Sequence, residues 1–231
     1  MDNNLNMGEK IDIVPGSSLK IIQNRNMFSY GIDAILLSSI VKVSEKHNVM
    51  DLGTGSGIIP LFLCSRQNFK KIYGVEIQND VLNMDLKDIP KKFSSGEFNV
   101  VTSNPPYMSG CLLSNTENRA ISRHEIACSL EDVVKIASFL LKDKGKFYLV
   151  HRPSRLVDIF WYLRKYDLEP KTIQFVHPKA NKPPNIVLIT SMKDGKPELK
   201  FKEPIYVYGE DGKYTEEIYR IYGMDVSVLD E

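Results

Sequence analysis

Nowhere does the sequence sustain the roughly 20 consecutive apolar residues that a membrane-spanning helix needs, so no span is expected. Its start, MDNNLNMGEK, is polar and acidic, whereas a secretory signal has a basic end followed by an apolar stretch. Cysteine is scarce: Cys64, Cys111 and Cys128 are odd in number, far apart and without a CxxC pair. That pattern argues against a disulfide framework and a zinc site, so no metal is expected, and a reducing cytoplasm fits best. An excess of one charge is missing too, with 30 Lys and Arg against 29 Asp and Glu. Net charge alone therefore says nothing about a polyanionic partner. No repeat and no low-complexity linker divides the 231 residues, a length suited to one α/β domain.

The charge that is present is unevenly placed. Residues 151–202 hold 11 Lys and Arg against 5 Asp and Glu, whereas 203–231 hold 2 against 8. This is either solvated surface or a basic face for a polyanion beside an acidic tail. Between residues 47 and 150 short apolar runs alternate with helix-like stretches. Strands are expected at NVMDL (48–52), KIYGVEI (71–77), VLNMDL (81–86), FNVVTS (98–103) and GKFYLVH (145–151). Helices are expected at IIPLFLCSR (58–66) and SLEDVVKIASFLLKD (129–143), the second with Ser129 at its start and helical apolar spacing. Such alternation predicts a doubly wound parallel sheet. Further on lie a helix (154–166) and two runs, 171–178 and 185–192, joined too closely for a crossover and so antiparallel. Before the core, LKIIQ (19–23) reads as a strand and 31–41 as a helix, giving an N-terminal extension (1–46) packed on a core domain (47–231). One join does not fit: only QND separates the runs 71–77 and 81–86, and a parallel crossover needs about a dozen residues. Either the third strand is wrong or a segment is missing near 78–81; the second is preferred.

Two motifs carry chemistry. DLGTGSG (51–57) lies between the first core strand and its helix, where Gly53, Gly55 and Gly57 allow a tight turn and close approach to a ligand. It is not the dinucleotide fingerprint, since Ile58 stands where the last glycine would be, and no GK[ST] of a P-loop is present. Glu76, after the second strand, sits where doubly wound folds place a carboxylate for ribose hydroxyls. The second motif is Asn104, Pro105, Pro106 and Tyr107 after the strand 98–103. Proline forces the residue before it into an extended conformation and lacks an N–H, so the tetrapeptide is a stiff elbow at the carboxyl end of a strand. The Asn104 side-chain oxygen and the Pro105 carbonyl suit the two hydrogens of one amino group, and the Tyr107 ring suits a flat base.

Asp51 with the glycines and Glu76 resembles the S-adenosylmethionine site of class I methyltransferases. The resemblance implies that the glycine turn passes the cofactor's methionine portion, that Glu76 binds the ribose and that Asp85 meets the adenine, although Asp85 also reads as a helix cap. NPPY is shared by amino-group methyltransferases acting on adenine N6 and on glutamine N5. The flanks LKIIQNRNMFSYGIDAILLSSIV, SGCLLSNTENRAISRHEI, VHPKANKPPNIVLI and GEDGKYTEEIYRIYG resemble the bacterial tRNA1(Val) adenine-N6 methyltransferase family. That family implies a Rossmann-like seven-stranded sheet with an antiparallel last strand, S-adenosylmethionine as cofactor and methylation of the tRNA adenosine 3′ of the anticodon. The alternative is a protein glutamine-N5 methyltransferase acting on a translation factor. Arg119, Arg123, His177, Lys179 and Lys182 are candidates for holding RNA; His124 reads more readily as a loop histidine. Phe28 and Tyr30 either close the methionine end or pack in the core. Asn99 departs from the family, which usually has Asp there.

Overall fold

Successive side chains of a strand point to opposite faces of its sheet, and strand β3 (Asn48–Leu52) shows what this does here. Met50 and Leu52 enter one apolar cluster, while Val49 enters another on the far side. The computed structural model describes residues 9–24, 30–76, 85–107 and 129–224. Along the central sheet, β4 (Lys71–Val75), β3, β5 (Phe98–Ser103) and β6 (Leu141–His151) follow one another as parallel neighbours. Next comes β8 (Ile186–Lys193), antiparallel both to β6 and to β7 (Leu168–His177). Two short strands, β9 (Lys200–Phe201) and β10 (Ile205–Tyr206), pair with β7. The sheet is therefore mixed, with eight strands among the described residues.

Helices cover both faces. On the Val49 side lie α1 (Ile32–Ile40), α2 (Ile58–Arg66) and α6 (Glu216–Tyr222), through Ile35, Phe62 and Ile218 among others. On the Met50 side lie α3 (Ile89–Lys92), α4 (Leu130–Leu140) and α5 (Leu156–Lys165), through Ile89, Val134 and Ile159. Ser129 starts α4 with a reciprocal cap: its Oγ accepts from Asp132 N at 3.2 Å, and the Asp132 carboxylate accepts from Ser129 N at 3.1 Å. Pro60 is tolerated in the first turn of α2, where its missing N–H would have had no intrahelical acceptor. Outside this sheet, β1 (Glu9–Ile13) and β2 (Lys20–Asn24) form an antiparallel hairpin. Among the described residues, no helix is long and apolar enough to cross a membrane.

Several expectations are corrected. The expected strand 81–86 does not extend to its last two residues: Asp85 caps a 3₁₀ turn, Leu86–Asp88, by accepting from Lys87 N at 2.9 Å. A short carboxylate side chain competes for its own backbone and favours a turn there. Residues 77–84, which carry the suspected missing segment, lie outside the described residues. The helix expected over 129–143 stops at Leu140, because Leu141 is already extended and opens β6 against Phe98. Among the described residues the sheet also holds β9 and β10, two-residue strands too short to show a periodicity in the sequence. The strand at 19–23 has a partner, β1, that the sequence did not announce.

Candidate active site

Leu52 of β3 pairs with Ser103 of β5, and the Ser103 hydroxyl donates to the Leu52 carbonyl at 2.9 Å. The chains leaving these two strands thus emerge side by side: one is the glycine turn, the other Asn104 and the prolines. In the turn, Gly53, Gly55 and Gly57 have φ of 72, 55 and 80°, values that side chains with a Cβ rarely adopt. A Cβ at any of the three would meet nothing within 4 Å, so the turn borders open space. Val75 O accepts from Gly53 N at 2.9 Å and Thr54 N at 3.0 Å, and Glu76 Oε2 accepts from Gly55 N at 2.8 Å. Glu76 therefore fastens the turn. Gly74 is also required: a Cβ there would stand 2.8 Å from Thr54 Cγ2 and Oγ1.

Asp51 is fully buried, and Thr102 Oγ1 donates to its Oδ1 at 2.6 Å. Burial pushes its carboxyl up to about 6; the Thr102 hydroxyl pulls the other way and the Glu76 carboxylate adds to the rise. Asp51 Oδ2, Thr54 Oγ1 and Ser56 Oγ are buried with no hydrogen-bond partner among the described residues. Leaving such a group unpaired costs about 1–3 kcal/mol. Thr54 and Ser56 belong to the turn and Asp51 to the strand before it, and the open space beside the turn leaves room for a polar ligand.

On the neighbouring chain, Asn104 is half-buried, Pro105 buried and Pro106 exposed. The Tyr107 hydroxyl donates to Asn104 Oδ1 at 2.8 Å. His151 sits edge-on to the Tyr107 ring at 5.2 Å, and the Arg152 guanidinium lies 4.7 Å from its centroid. The phenol is pushed well above its ordinary value by burial and then by the Asp33 carboxylate in the first turn of α1, against the opposing Arg152 charge. His151 is buried and its pKa is lowered to about 4, by burial and then by the Arg155 charge. Its Nδ1 accepts from Arg152 N at 2.8 Å, which only a neutral imidazole can do.

The structure brings Asp51, Gly53, Gly55, Gly57, Glu76 and Asn104 to one end of the sheet, with Tyr107 bonded to Asn104. Asp85 is described only as the turn cap. His177 ends β7, and Lys179 and Lys182 lie in the loop that follows it, where His177 Nδ1 is 2.8 Å from Lys182 O. Arg119, Arg123, His124 and Phe28 lie outside the described residues. Tyr30 is half-buried and packs on the α1 side of the core. Asn99 Oδ1 accepts from Asn48 N at 3.0 Å, at the opposite end of the sheet from the glycine turn. Sequence reasoning missed His151, Arg152, Asp33 and Gly74 as contributors. Gly74 left a signal, a lone glycine within a strand pattern. Among the described residues, no group of three or more His, Cys, Asp or Glu is arranged to hold a metal ion.

No family model matches the chain. Curated proteins do. It is 24% identical over 204 residues to a tRNA1(Val) (adenine(37)-N6)-methyltransferase of Pedobacter heparinus, covering 80% of this chain and 85% of that protein. To a protein of the same name from Porphyromonas gingivalis (strain ATCC 33277) it is 24% identical, covering 91% and 93%. To that of Bacteroides thetaiotaomicron it is 30% identical over 137 residues, covering 52% and 58%. Among solved structures, a chain from Agrobacterium tumefaciens described as a predicted O-methyltransferase superposes with a TM-score of 0.65 at 17% identity, covering 82% of this chain and 95% of that one. A chain from Listeria monocytogenes, described as an S-adenosylmethionine-dependent methyltransferase, gives 0.53 at 14% identity, covering 71% and 98%. The fold is that of class I methyltransferases, and the resemblance read from the flanking segments extends over most of the chain.

Proposed function

We propose that the chain, a class I methyltransferase that uses S-adenosylmethionine, places a methyl group on the exocyclic N6 of an adenosine in tRNA, the one 3′ of the anticodon. The observation that carries the reading is the Leu52–Ser103 register, which sets the glycine turn directly beside Asn104. When bound, S-adenosylmethionine supplies an electrophilic methyl group on a sulfonium. Asp51, the turn 53–57 and Glu76 are the residues that would hold it.

The acceptor side follows from the chemistry of the amine. An adenine amino group is a weak nucleophile because its lone pair is delocalised into the ring. Asn104 Oδ1 and the Pro105 carbonyl, aimed at its two hydrogens, favour the pyramidal nitrogen that forms as the reaction proceeds. The two prolines hold those oxygens still, so alignment is set before the base arrives. One amine proton leaves to solvent after transfer, and no side-chain base is required. An anticodon-loop base is unpaired and can be splayed onto Tyr107. A cytoplasmic location, expected from the cysteine usage, is part of this reading.

The test is direct. The protein is incubated with labelled methyl donor and either unmodified tRNA or a release-factor protein, and the methylated product is identified after digestion. N6-methyladenosine is expected; methylglutamine, or no product, overturns the reading.

A further inference from the structure

Arg152 follows the last residue of β6 and leaves the sheet at the end where the glycine turn and Asn104 stand. Two contacts fix it. Its guanidinium lies over the Tyr107 ring at 4.7 Å, within cation–π range. Its Nη1 donates to the Asn185 carbonyl at 2.9 Å, next to the start of β8. Arg152 thereby ties the base platform to the loop that bears Lys179, half-buried, and Lys182, exposed. Yet Arg152 itself is exposed, and among the described residues no carboxylate pairs with its guanidinium. Nearby Arg155 does have such a partner, Asp158 at 2.7 Å.

A guanidinium has five N–H donors in its plane. Stacking uses the face, and the Asn185 carbonyl takes one donor, so among the described residues the rest of the charged edge has no partner. We propose that Arg152 is the residue by which the site distinguishes a nucleotide from a bare amide: it pins Tyr107 as a wall of the base slot and gives its remaining N–H edge to the phosphate of the target nucleotide. This rests on the tRNA reading above. A base that stacks on Tyr107 must use the face away from Arg152. Its own phosphate is then carried past the rim of the ring, within reach of a planar donor set that matches phosphate oxygens in pairs. A side-chain amide of a protein brings no such anion. The same charge would therefore be of no use to a glutamine substrate.

The experiment uses the full chain and an anticodon stem–loop RNA carrying the unmethylated adenosine. Binding is measured across a salt series, and the methylation rate under single-turnover conditions. Arg152→Ala should bind about tenfold more weakly at low salt. Its plot of log affinity against log salt should be shallower by about 0.7, the share of one single-strand phosphate contact. Arg152→Gln, neutral but long, should show the same shallower slope. Arg152→Lys should keep the slope yet lose single-turnover rate, because an ammonium cannot lie flat on the ring. A packing role alone would lower Tm and rate with the slope unchanged, and that overturns the proposal. So does full rescue of the rate by lysine. A wild-type protein that neither methylates RNA nor binds it salt-dependently sinks the tRNA reading instead.

Discussion

Exchanging Asp51 for Asn removes a charge that the fold holds at a penalty, and the structure gives its size. The carboxyl is fully buried and titrates at about 6, against about 3.9 in an unfolded chain. A difference of about 2 units, at about 1.36 kcal/mol each, comes to about 3 kcal/mol. Between those two values the folded chain keeps a proton that the unfolded chain has released. This group's contribution to stability is therefore full below about pH 4, falls as pH rises to about 6 and is constant above. An Asn amide still offers a carbonyl to the Thr102 hydroxyl, which donates at 2.6 Å, and it never ionises. Relative to wild type, Asp51→Asn should gain about 3 kcal/mol between pH 4 and pH 7, or about 6–12 °C in Tm for a chain of this size. Thermal unfolding of the ligand-free protein over a pH series measures it. Two curves that run parallel across the window would refute both the burial argument and its sign. The same variant should bind S-adenosylmethionine about tenfold more weakly by calorimetry, since it cannot offer a charged acceptor.

Asn104→Ala should lower kcat about 10²–10³-fold while donor affinity stays within about threefold, and equal losses in both would contradict its role as acceptor for the amine. Gly74→Ala drives a methyl group to 2.8 Å from Thr54, so Tm should fall by about 2–12 °C with donor affinity reduced as well, both read from thermal shift with and without donor. Tyr107→Ala should cut kcat/KM about 5–150-fold through the lost stacking surface, whereas Tyr107→Phe keeps the ring and should stay within about threefold of wild type. If the two tyrosine variants behaved alike, the ring would not be the platform.

What could be read from the sequence divides along physical lines. Strands 48–52 and 98–103 and helix 58–66 match the expected bounds, because apolar runs bordered on at least one side by glycine or proline fix them locally. The same local signal marked the turn 53–57 and the elbow at Asn104. Asp85 was open to two readings, and the geometry described for it is the cap, a bond that closes within two residues. Arg152 and His151 left no mark, since their meeting with Tyr107 depends on β6 lying next to β5 and on the side from which each strand ends. Gly74 was legible as an oddity but not as a necessity, because its reason is the Thr54 side chain 20 positions away. Glu76 was expected to face the ribose; the contact that the structure describes, one of its oxygens accepting from Gly55 N, is a tertiary fact.

The pairing of Leu52 with Ser103 works as the ruler of the whole centre. Side chains alternate along a strand, so sliding β5 by a single residue would turn Thr102 away from Asp51 and shift the glycine turn and the Asn104 elbow apart by one step. Neither loop needs to know about the other. Their spacing is guarded instead by the interior apolar residues Val49, Met50, Val100 and Val101, each almost completely shielded from water. Substitutions among those four, remote from any reacting atom, are therefore the ones most able to detune methyl transfer while leaving every site residue in place.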